Sequence, residues 1–434
     1  MKTLKVAVIG GGSSYTPELV DGFIQRREAL PLAELRLVDV PEGREKVEII
    51  AGLTRRMLDR AGMQARVSVH FDRRAALEGV DFVVSQFRVG GLDARALDER
   101  IPLKYGALGQ ETTGAGGFFK ALRTIPVILD VCRDMEKVAP GAWLINFTNP
   151  AGILTEAVLR HSRVRVLGLC NNPINMTIAA ANILGVEPSR VFLQFMGLNH
   201  LVWARVYLDG RDVTARVLEA MAPAAGTPAN VAALPYDREF LLGMGYMPCP
   251  YHRYFYMLPE MLQKEIEAAG GQGTRAEVVK RTEAELFRKY SDPGLDVKPP
   301  ELAKRGGAHY SEAAVSLIDA IANDRREVHA VNTRNNGALA DLPGEAAVEV
   351  SALVGAHGAV PLTVGHLPPQ LRGLLQHVKA YEELTIAAAV SGDPSLALQA
   401  LAANPLVPSV AVAKQLWAEM SAAHARYLPQ FAGR

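Results

Sequence analysis

A thiol and an imidazole stand where the chain leaves two apolar runs for polar turns. Cys170 follows Val164-Arg165-Val166-Leu167-Gly168-Leu169, and His200 ends Met196-Gly197-Leu198-Asn199-His200. A thiolate and a neutral imidazole suit one divalent transition metal, with substrate oxygens and water filling its other positions. The pairing is also what a buried thiol and an unrelated imidazole would give. Neither CxxC nor HExxH occurs, and a closed structural zinc site has no support. A third group is Gly245-Tyr246-Met247-Pro248-Cys249-Pro250-Tyr251-His252-Arg253-Tyr254-Phe255-Tyr256. A tyrosine beside a metal and a cation can ionise below its ordinary pKa of about 10 and act as a base. The same composition describes an aromatic lining or a dimer contact.

A second kind of chemistry is written at the start of the chain. Leu4-Lys5-Val6-Ala7-Val8-Ile9 runs into Gly10-Gly11-Gly12-Ser13-Ser14-Tyr15-Thr16, and a helical pattern begins near Pro17. This is the order of a first strand, a phosphate-cradling turn and a helix N-terminus in a dinucleotide-binding unit. Gly10 and Gly12 occupy the first two positions of the glycine fingerprint, and Tyr15 stands at the third, so the match is partial. Asp39 ends the next apolar run, where an acid accepts hydrogen bonds from ribose hydroxyls and repels a 2′-phosphate. That favours NAD over NADP, with Arg44 close enough in sequence to keep the other cofactor open.

The elements that must position these groups alternate. Helices are predicted over 18–28, 45–61, 92–105 and 118–138, and strands over 34–38, 66–70, 80–84, 142–147 and 164–168. Arg95 lies on the third of these helices. Ser85-Gln86-Phe87-Arg88-Val89-Gly90-Gly91 follows a strand at its carboxyl end, where ligands bind in open α/β sheets. The glycines of 109–117 are expected to let backbone approach a ligand closely. After residue 170 the alternation stops. A helix over 174–184 gives way to β segments over 191–196 and 201–207 and a turn at Asp209-Gly210. A loop follows over 222–233, with helices over 276–290, 311–323, 370–391 and 409–427. The pattern predicts an α/β protein. A Rossmann-like NAD-binding domain spans 1–170, and a mostly helical α+β domain over 171–434 carries substrate, metal and oligomer contacts.

Bulk composition narrows the partners. Among 434 residues, 49% are hydrophobic and 21% charged, with net charge +1, which points to neither nucleic acid nor an anionic membrane. Three cysteines form no disulfide framework, and no run is long and apolar enough to span a bilayer. Met1-Lys2-Thr3 leads directly into the first strand, leaving no room for a signal peptide. A cytoplasmic protein is expected. Cys132 reads as core, Cys249, within the tyrosine-rich loop, is close to the site with its role open, and His161, His309 and His424 read as surface or structural.

Further motifs run the length of the chain: Phe87-Arg88-Val89-Gly90-Gly91, Gln110-Glu111-Thr112 with Gly116-Gly117, Asn146-Phe147-Thr148-Asn149-Pro150, Cys170-Asn171, Gly197-Leu198-Asn199-His200 and Pro248 to Tyr251. Asn335-Asn336-Gly337, Leu342-Pro343 and Val348-Glu349-Val350 follow. With the glycine turn, and in this order, they resemble glycoside hydrolase family 4, the NAD- and divalent-metal-dependent glycosidases. The resemblance implies Cys170 and His200 as ligands, usually of Mn²⁺, and Tyr251 as catalytic base. It implies Glu111 as the group that raises the tyrosine's basicity, and Arg95, Asn149 and Arg275 as substrate-binding residues. Gly10, Gly11, Gly12, Ser13, Ser14 and Asp39 would hold the NAD.

Asn171 is a difference within the resemblance. Members acting on α-glycosides carry an aspartate acid after the cysteine, and an amide cannot donate that proton. The pattern is similar to the 6-phospho-β-glucosidase branch, with a phosphorylated disaccharide or aryl glycoside as substrate. Arg88 and glycine-loop N–H groups are expected to meet the phosphate. The implied reaction is hydride transfer from C3 to NAD⁺, removal of the C2 proton by Tyr251, elimination of the aglycone, addition of water at C1 and return of the hydride. It lies outside the paired-carboxylate mechanism of most glycosidases. Alternatives are a same-family α-glycosidase, α-galactosidase or glucuronidase, a dehydrogenase similar to lactate or malate dehydrogenases, or a nucleotide-sensing regulator. A homodimer or homotetramer is expected.

Overall fold

Runs of aliphatic residues without a polar face make strands covered on both sides, and this chain supplies them in series. The computed structural model describes residues 3–222, 231, 233–305 and 310–433. In order come β1 (Leu4–Ile9), α1 (Thr16–Gln25), β2 (Leu32–Val38), α2 (Arg44–Arg60), β3 (Arg66–His70), α3 (Arg73–Leu77), β4 (Phe82–Ser85), α4 (Gly91–Leu103), α5 (Ala115–Val138), β5 (Trp143–Asn146), α6 (Ala151–His161) and β6 (Arg165–Gly168). The six strands are parallel in the order β3-β2-β1-β4-β5-β6, the order of a doubly wound dinucleotide-binding sheet. Alternate residues of β1 serve opposite faces. Val6 and Val8 pack with Leu19, Phe23 and Ile50, while Ala7 and Ile9 pack with Phe118, Leu122 and Ile125. Each such fully buried side chain contributes about 1.5–3 kcal/mol.

The chain then forms α7 (Asn172–Leu184), β7 (Val191–Leu198), β8 (Leu201–Leu208), β9 (Arg211–Asp212), α8 (Thr214–Met221), α9 (Arg238–Met244), β10 (Met247–Pro248), α10 (Arg253–Tyr256), α11 (Leu258–Gly270), α12 (Arg275–Tyr290) and α13 (Tyr310–Ala322). A second, antiparallel sheet consists of β10-β8-β7 with β9 beside β8. Three further strands, β11 (Glu327–Arg334), β12 (Ala347–Gly355) and β13 (Gly358–Pro361), precede α14 (Pro369–Ser391), α15 (Pro394–Ala403) and α16 (Val410–Ala423).

Those last strands depart from the expected helical run. They join the main sheet antiparallel beyond β6, extending it to nine strands, with Asn332 of β11 against Gly168. Segments on both sides of residue 170 therefore share one sheet. The reason is burial on both faces. β12 has no alternating pattern, and its Glu349 and Ser351 are buried polar residues with distant partners. Ser351 Oγ donates to Leu193 O at 2.9 Å and accepts from Phe195 N at 3.0 Å, pinning the second sheet to the first. The expected loop over 222–233 lies almost wholly outside the described residues, as does His309.

The glycines of 109–117 have a different purpose from the one expected. A Cβ on Gly109 would lie 1.9 Å from Glu99 O, one on Gly116 2.7 Å from Asp98 O, and one on Gly117 2.4 Å from Thr112. They allow the loop to press on the backbone of α4 and on itself. Close approach to protein accounts for them without a ligand.

Candidate active site

The turn after β1 is shaped by Asp39. Gly10 has φ +84°, and a Cβ on Gly12 would lie 2.8 Å from Asp39 Oδ2. That oxygen accepts from Gly12 N at 2.8 Å, and Oδ1 accepts from Val40 N at 2.9 Å. Burial raises the Asp39 pKa despite these bonds. Gly10 and Gly11 both donate to Val38 O at 2.9 Å, and Ser13 donates to Gly10 O at 3.0 Å. The glycines thus first secure the form of the turn. Ser14 Oγ donates to Glu283 Oε2 at 3.1 Å, while Tyr15 lies 4.8 Å under the Arg305 guanidinium. Arg44 stacks 4.0 Å over the ring of Phe71.

Cys170 lies just beyond β6, at the N-terminal end of α7, and its sulfur accepts from Asn172 N at 3.4 Å. His200 is the second residue of the two-residue turn closing the β7–β8 hairpin, held at φ +63°. A non-glycine side chain there is uncommon and marks a site where the fold fixes the residue. β8 also places Tyr251. Pro248 pairs with Trp203, Cys249 N donates to Val202 O at 3.1 Å, and a single tight turn over Pro250–His252 swings the tyrosine back to the hairpin. Its ring stacks on that of His200 with centroids 3.8 Å apart and planes at 10°.

Burial governs the protonation of all three. It pushes His200 down to about 3, leaving a neutral imidazole, and pushes the Cys170 thiol up. It also raises Tyr251 well above its ordinary value, aided by Cys170 and Glu111 and opposed by Arg95. The chain's own groups therefore hold the phenol protonated, opposite to the lowered value expected for a tyrosine base, and a bound cation would act in the lowering direction. The donor set fits one. Among the described residues no group of three or more His, Cys, Asp or Glu is gathered, so a soft thiolate and a neutral nitrogen would hold the ion with positions left open.

Glu111 is the hub of a buried charge cluster beside this group. Its Oε2 meets Lys120 Nζ at 2.7 Å and Arg88 Nη1, and its Oε1 meets Arg95 Nη1 at 3.3 Å. Burial alone would raise the carboxyl's pKa, but Arg88, Arg95 and Lys120 hold it well below the ordinary range. Arg95 Nε also donates to Glu99 Oε1 at 2.7 Å, and Glu99 Oε2 accepts from Ala276 N at 2.6 Å. That ties the start of α12 to the cluster and brings Arg275 near Arg95 and Arg305, whose charges add to burial in lowering its pKa. Arg275 donates to Arg305 O at 3.2 Å, and its Nε has no hydrogen-bond partner.

Asn149 follows β5, its Oδ1 accepting from Ala151 N at 3.3 Å, and neighbouring Pro150 lines an enclosed cavity with Thr112 and His200. Asn171 precedes the first turn of α7 without a capping side-chain bond, and its Oδ1 lies 3.9 Å from the Cys170 sulfur. Arg88 faces Glu111. Two groups received no role from the sequence, Lys120 unnoticed and Glu349 only as part of a motif. Lys120, buried, is pushed down to about 7, by burial first and by Arg88 next. A single lysine inside Phe118-Phe119-Lys120-Ala121-Leu122 was the available signal. Glu349, pushed up to about 7 by burial, accepts from Asn199 at 3.1 Å and Asn332 at 2.8 Å, and raises Cys170 in turn.

Known proteins are similar to this chain over nearly its whole length. The model of family 4 glycosyl hydrolases matches residues 5–186, and that of the family 4 glycosyl hydrolase C-terminal domain matches residues 195–407. A probable 6-phospho-beta-glucosidase of Bacillus subtilis is 53% identical, across 99% of this chain and 98% of its own. A 6-phospho-beta-glucosidase of Escherichia coli is 45% identical, across 99% and 97%. The structure of a 6-phospho-beta glucosidase from Thermotoga maritima with manganese, NAD⁺ and glucose-6-phosphate is 37% identical, with TM-score 0.89, covering 98% of this chain and 99% of that one.

Proposed function

The chain belongs to glycosyl hydrolase family 4, and from that premise we propose that it hydrolyses 6-phospho-β-glucosides with NAD⁺ and a divalent metal such as Mn²⁺. The observation that carries this reading is the stack of Tyr251 on His200 beside Cys170, at the carboxyl edge of a dinucleotide-binding sheet. When bound, the dinucleotide supplies reversible oxidation at C3 of the sugar, and the cation supplies polarisation of the C2 and C3 oxygens.

The chain's own residues do the rest. The glycine turn, with Ser13, Ser14 and Asp39, receives the dinucleotide, and Cys170 and His200 hold the cation. Tyr251 is the base for the C2 proton, and ionised Glu111, through its negative charge, makes the phenolate more basic. Arg95, Asn149 and Arg275 orient the sugar. Arg88 and Lys120 add positive charge on the same carboxylate, which suits an anionic substrate. Asn171 presents an amide where an α-specific acid would stand, so protonation of the leaving group falls to water. The reading also carries a cytoplasmic homodimer or homotetramer. In support, all three cysteines are free, and among the described residues no helix is long and apolar enough to cross a membrane.

The test is release of aglycone from an aryl 6-phospho-β-glucoside with NAD⁺ and Mn²⁺ both supplied, and with each removed by dialysis and chelation. Activity indifferent to both omissions overturns the reading. Comparing kcat/KM on phosphorylated and free α- and β-glycosides separates it from the other family activities. Tyr251→Phe should lower kcat by roughly 10²–10⁴-fold while NAD⁺ binding persists; unchanged turnover would remove Tyr251 from its role.

A further inference from the structure

The side chain of Gln110 settles where the proton of His200 resides. One terminal atom of its amide lies 2.5 Å from Thr112 N and 2.9 Å from Thr113 N. Backbone N–H groups only donate, so this atom is the carbonyl oxygen. Thr112 Oγ1 lies 2.8 Å from the same oxygen. A carbonyl brings no hydrogen, so the one hydrogen of the Thr112 hydroxyl lies between them. Thr113 Oγ1 is farther from it, at 3.1 Å, and only partly buried.

Thr112 Oγ1 is also 3.0 Å from His200 Nδ1. With its hydrogen committed to Gln110, the hydroxyl can only accept there, and the ring must donate from Nδ1. A neutral imidazole protonated at Nδ1 carries its lone pair on Nε2. All three side chains are buried, so water does not compete for these bonds. The turn that holds His200 at φ +63° fixes the ring's root, and Thr112, at Nδ1, fixes its rotation.

We propose that Thr112, oriented by Gln110, is a positioning residue that holds His200 as the Nδ1–H tautomer and so keeps Nε2 free to bind the divalent cation. This rests on the reading of His200 as a metal ligand. Outer partners of this kind typically change metal affinity 10–100-fold when removed.

The experiment measures Mn²⁺ affinity, from the electron paramagnetic resonance signal of free Mn²⁺, for the wild-type chain and for Thr112→Val, Thr112→Ser and His200→Ala. Thr112→Val should bind Mn²⁺ roughly 10–100-fold more weakly, Thr112→Ser should bind nearly as wild type, and His200→Ala should lose the site. Wild-type affinity in Thr112→Val alongside loss in His200→Ala overturns the tautomer proposal and leaves the ligand reading standing. Wild-type affinity in His200→Ala overturns the ligand reading and the proposal with it. A second measurement needs no Thr112 variant: long-range ¹⁵N–¹H correlation of the metal-free wild-type protein, with His200 assigned by its absence in His200→Ala. A proton on Nδ1 is expected, and a proton on Nε2 overturns the proposal.

Discussion

Lys120 and Lys379 are both buried, both in long helices, and both 2.6–2.7 Å from a glutamate oxygen, yet the fold drives them to opposite states. Lys379 on α14 lies between Glu156 and Glu382, each at 2.6 Å, and also donates to Ala347 O at 3.0 Å. Burial works against its charge, but the two carboxylates outweigh it and raise its pKa. Lys120 on α5 has one carboxylate, already shared with Arg88 and Arg95, and there burial and the guanidinium of Arg88 prevail. The first cluster carries an excess of negative charge that needs its lysine. The second carries an excess of positive charge that an anionic ligand would relieve. Identical residues thus mark a structural joint in one place and a candidate site in the other, and the sign of the surplus tells them apart.

Replacing each lysine by methionine tests this directly. Lys379→Met leaves buried Glu382 without its cation and Glu156 with only Arg160, and should cost about 3–5 kcal/mol, read as loss of soluble folded protein or an early denaturation midpoint. Lys120→Met leaves Glu111 with both arginines, so its midpoint should move much less. Equal destabilisation by the two variants would erase the distinction.

A smaller effect separates charge from proton. Lys120→Met should lower kcat/KM on a 6-phospho-β-glucoside by roughly 10²-fold. Lys120→Arg preserves positive charge and cannot release it near neutrality. If the wild-type kcat/KM declines on the basic side as Lys120 loses its proton near its pKa of about 7, that decline should vanish in Lys120→Arg. A decline at the same pH in both would assign it to another group.

The same contrast marks what the sequence disclosed. The strands β1 to β6 and the helices α1, α2, α4 and α5 lie within a few residues of their expected ends, because apolar spacing and adjacent turn residues mark them, while α3 and α6 were not expected. The glycine turn and the place of Asp39 after β2 were legible from the order of the elements, while the bond of Asp39 to Gly12 N, across 27 residues, was not. Lys120, Glu349 and the strands β11 to β13 were not. A lone lysine in an apolar helix and an acid in a buried strand read as misplaced until Glu111, Asn199 and Asn332 arrive from distant parts of the chain. The run Gln110-Glu111-Thr112 drew notice as a motif, but its use depends on a hairpin turn 88 residues away.

Glu265 extends the comparison from lysines to carboxylates. It lies on α11, accepts from Gly109 N at 2.8 Å, and is half-buried near Glu99. Where Glu111 is held low by cations, Glu265 is pushed up to about 8, first by burial and then by Glu99, against the lowering effect of the Gly109 bond. Its ordinary value is 4.5, so through the window from there to about 8 the folded chain keeps a proton that the unfolded chain releases. Stability from this group therefore falls as pH rises through that window. There is no penalty below it and a full one above. Glu265→Gln keeps an acceptor for Gly109 N and has no charge to bury. Wild type and variant should melt together near pH 4.5 and diverge upward, the variant melting a few degrees higher once pH passes about 8. A gap that stays constant with pH would mean that Glu265 is hydrated when ionised, and that the loop carrying Gly109 opens to admit the water.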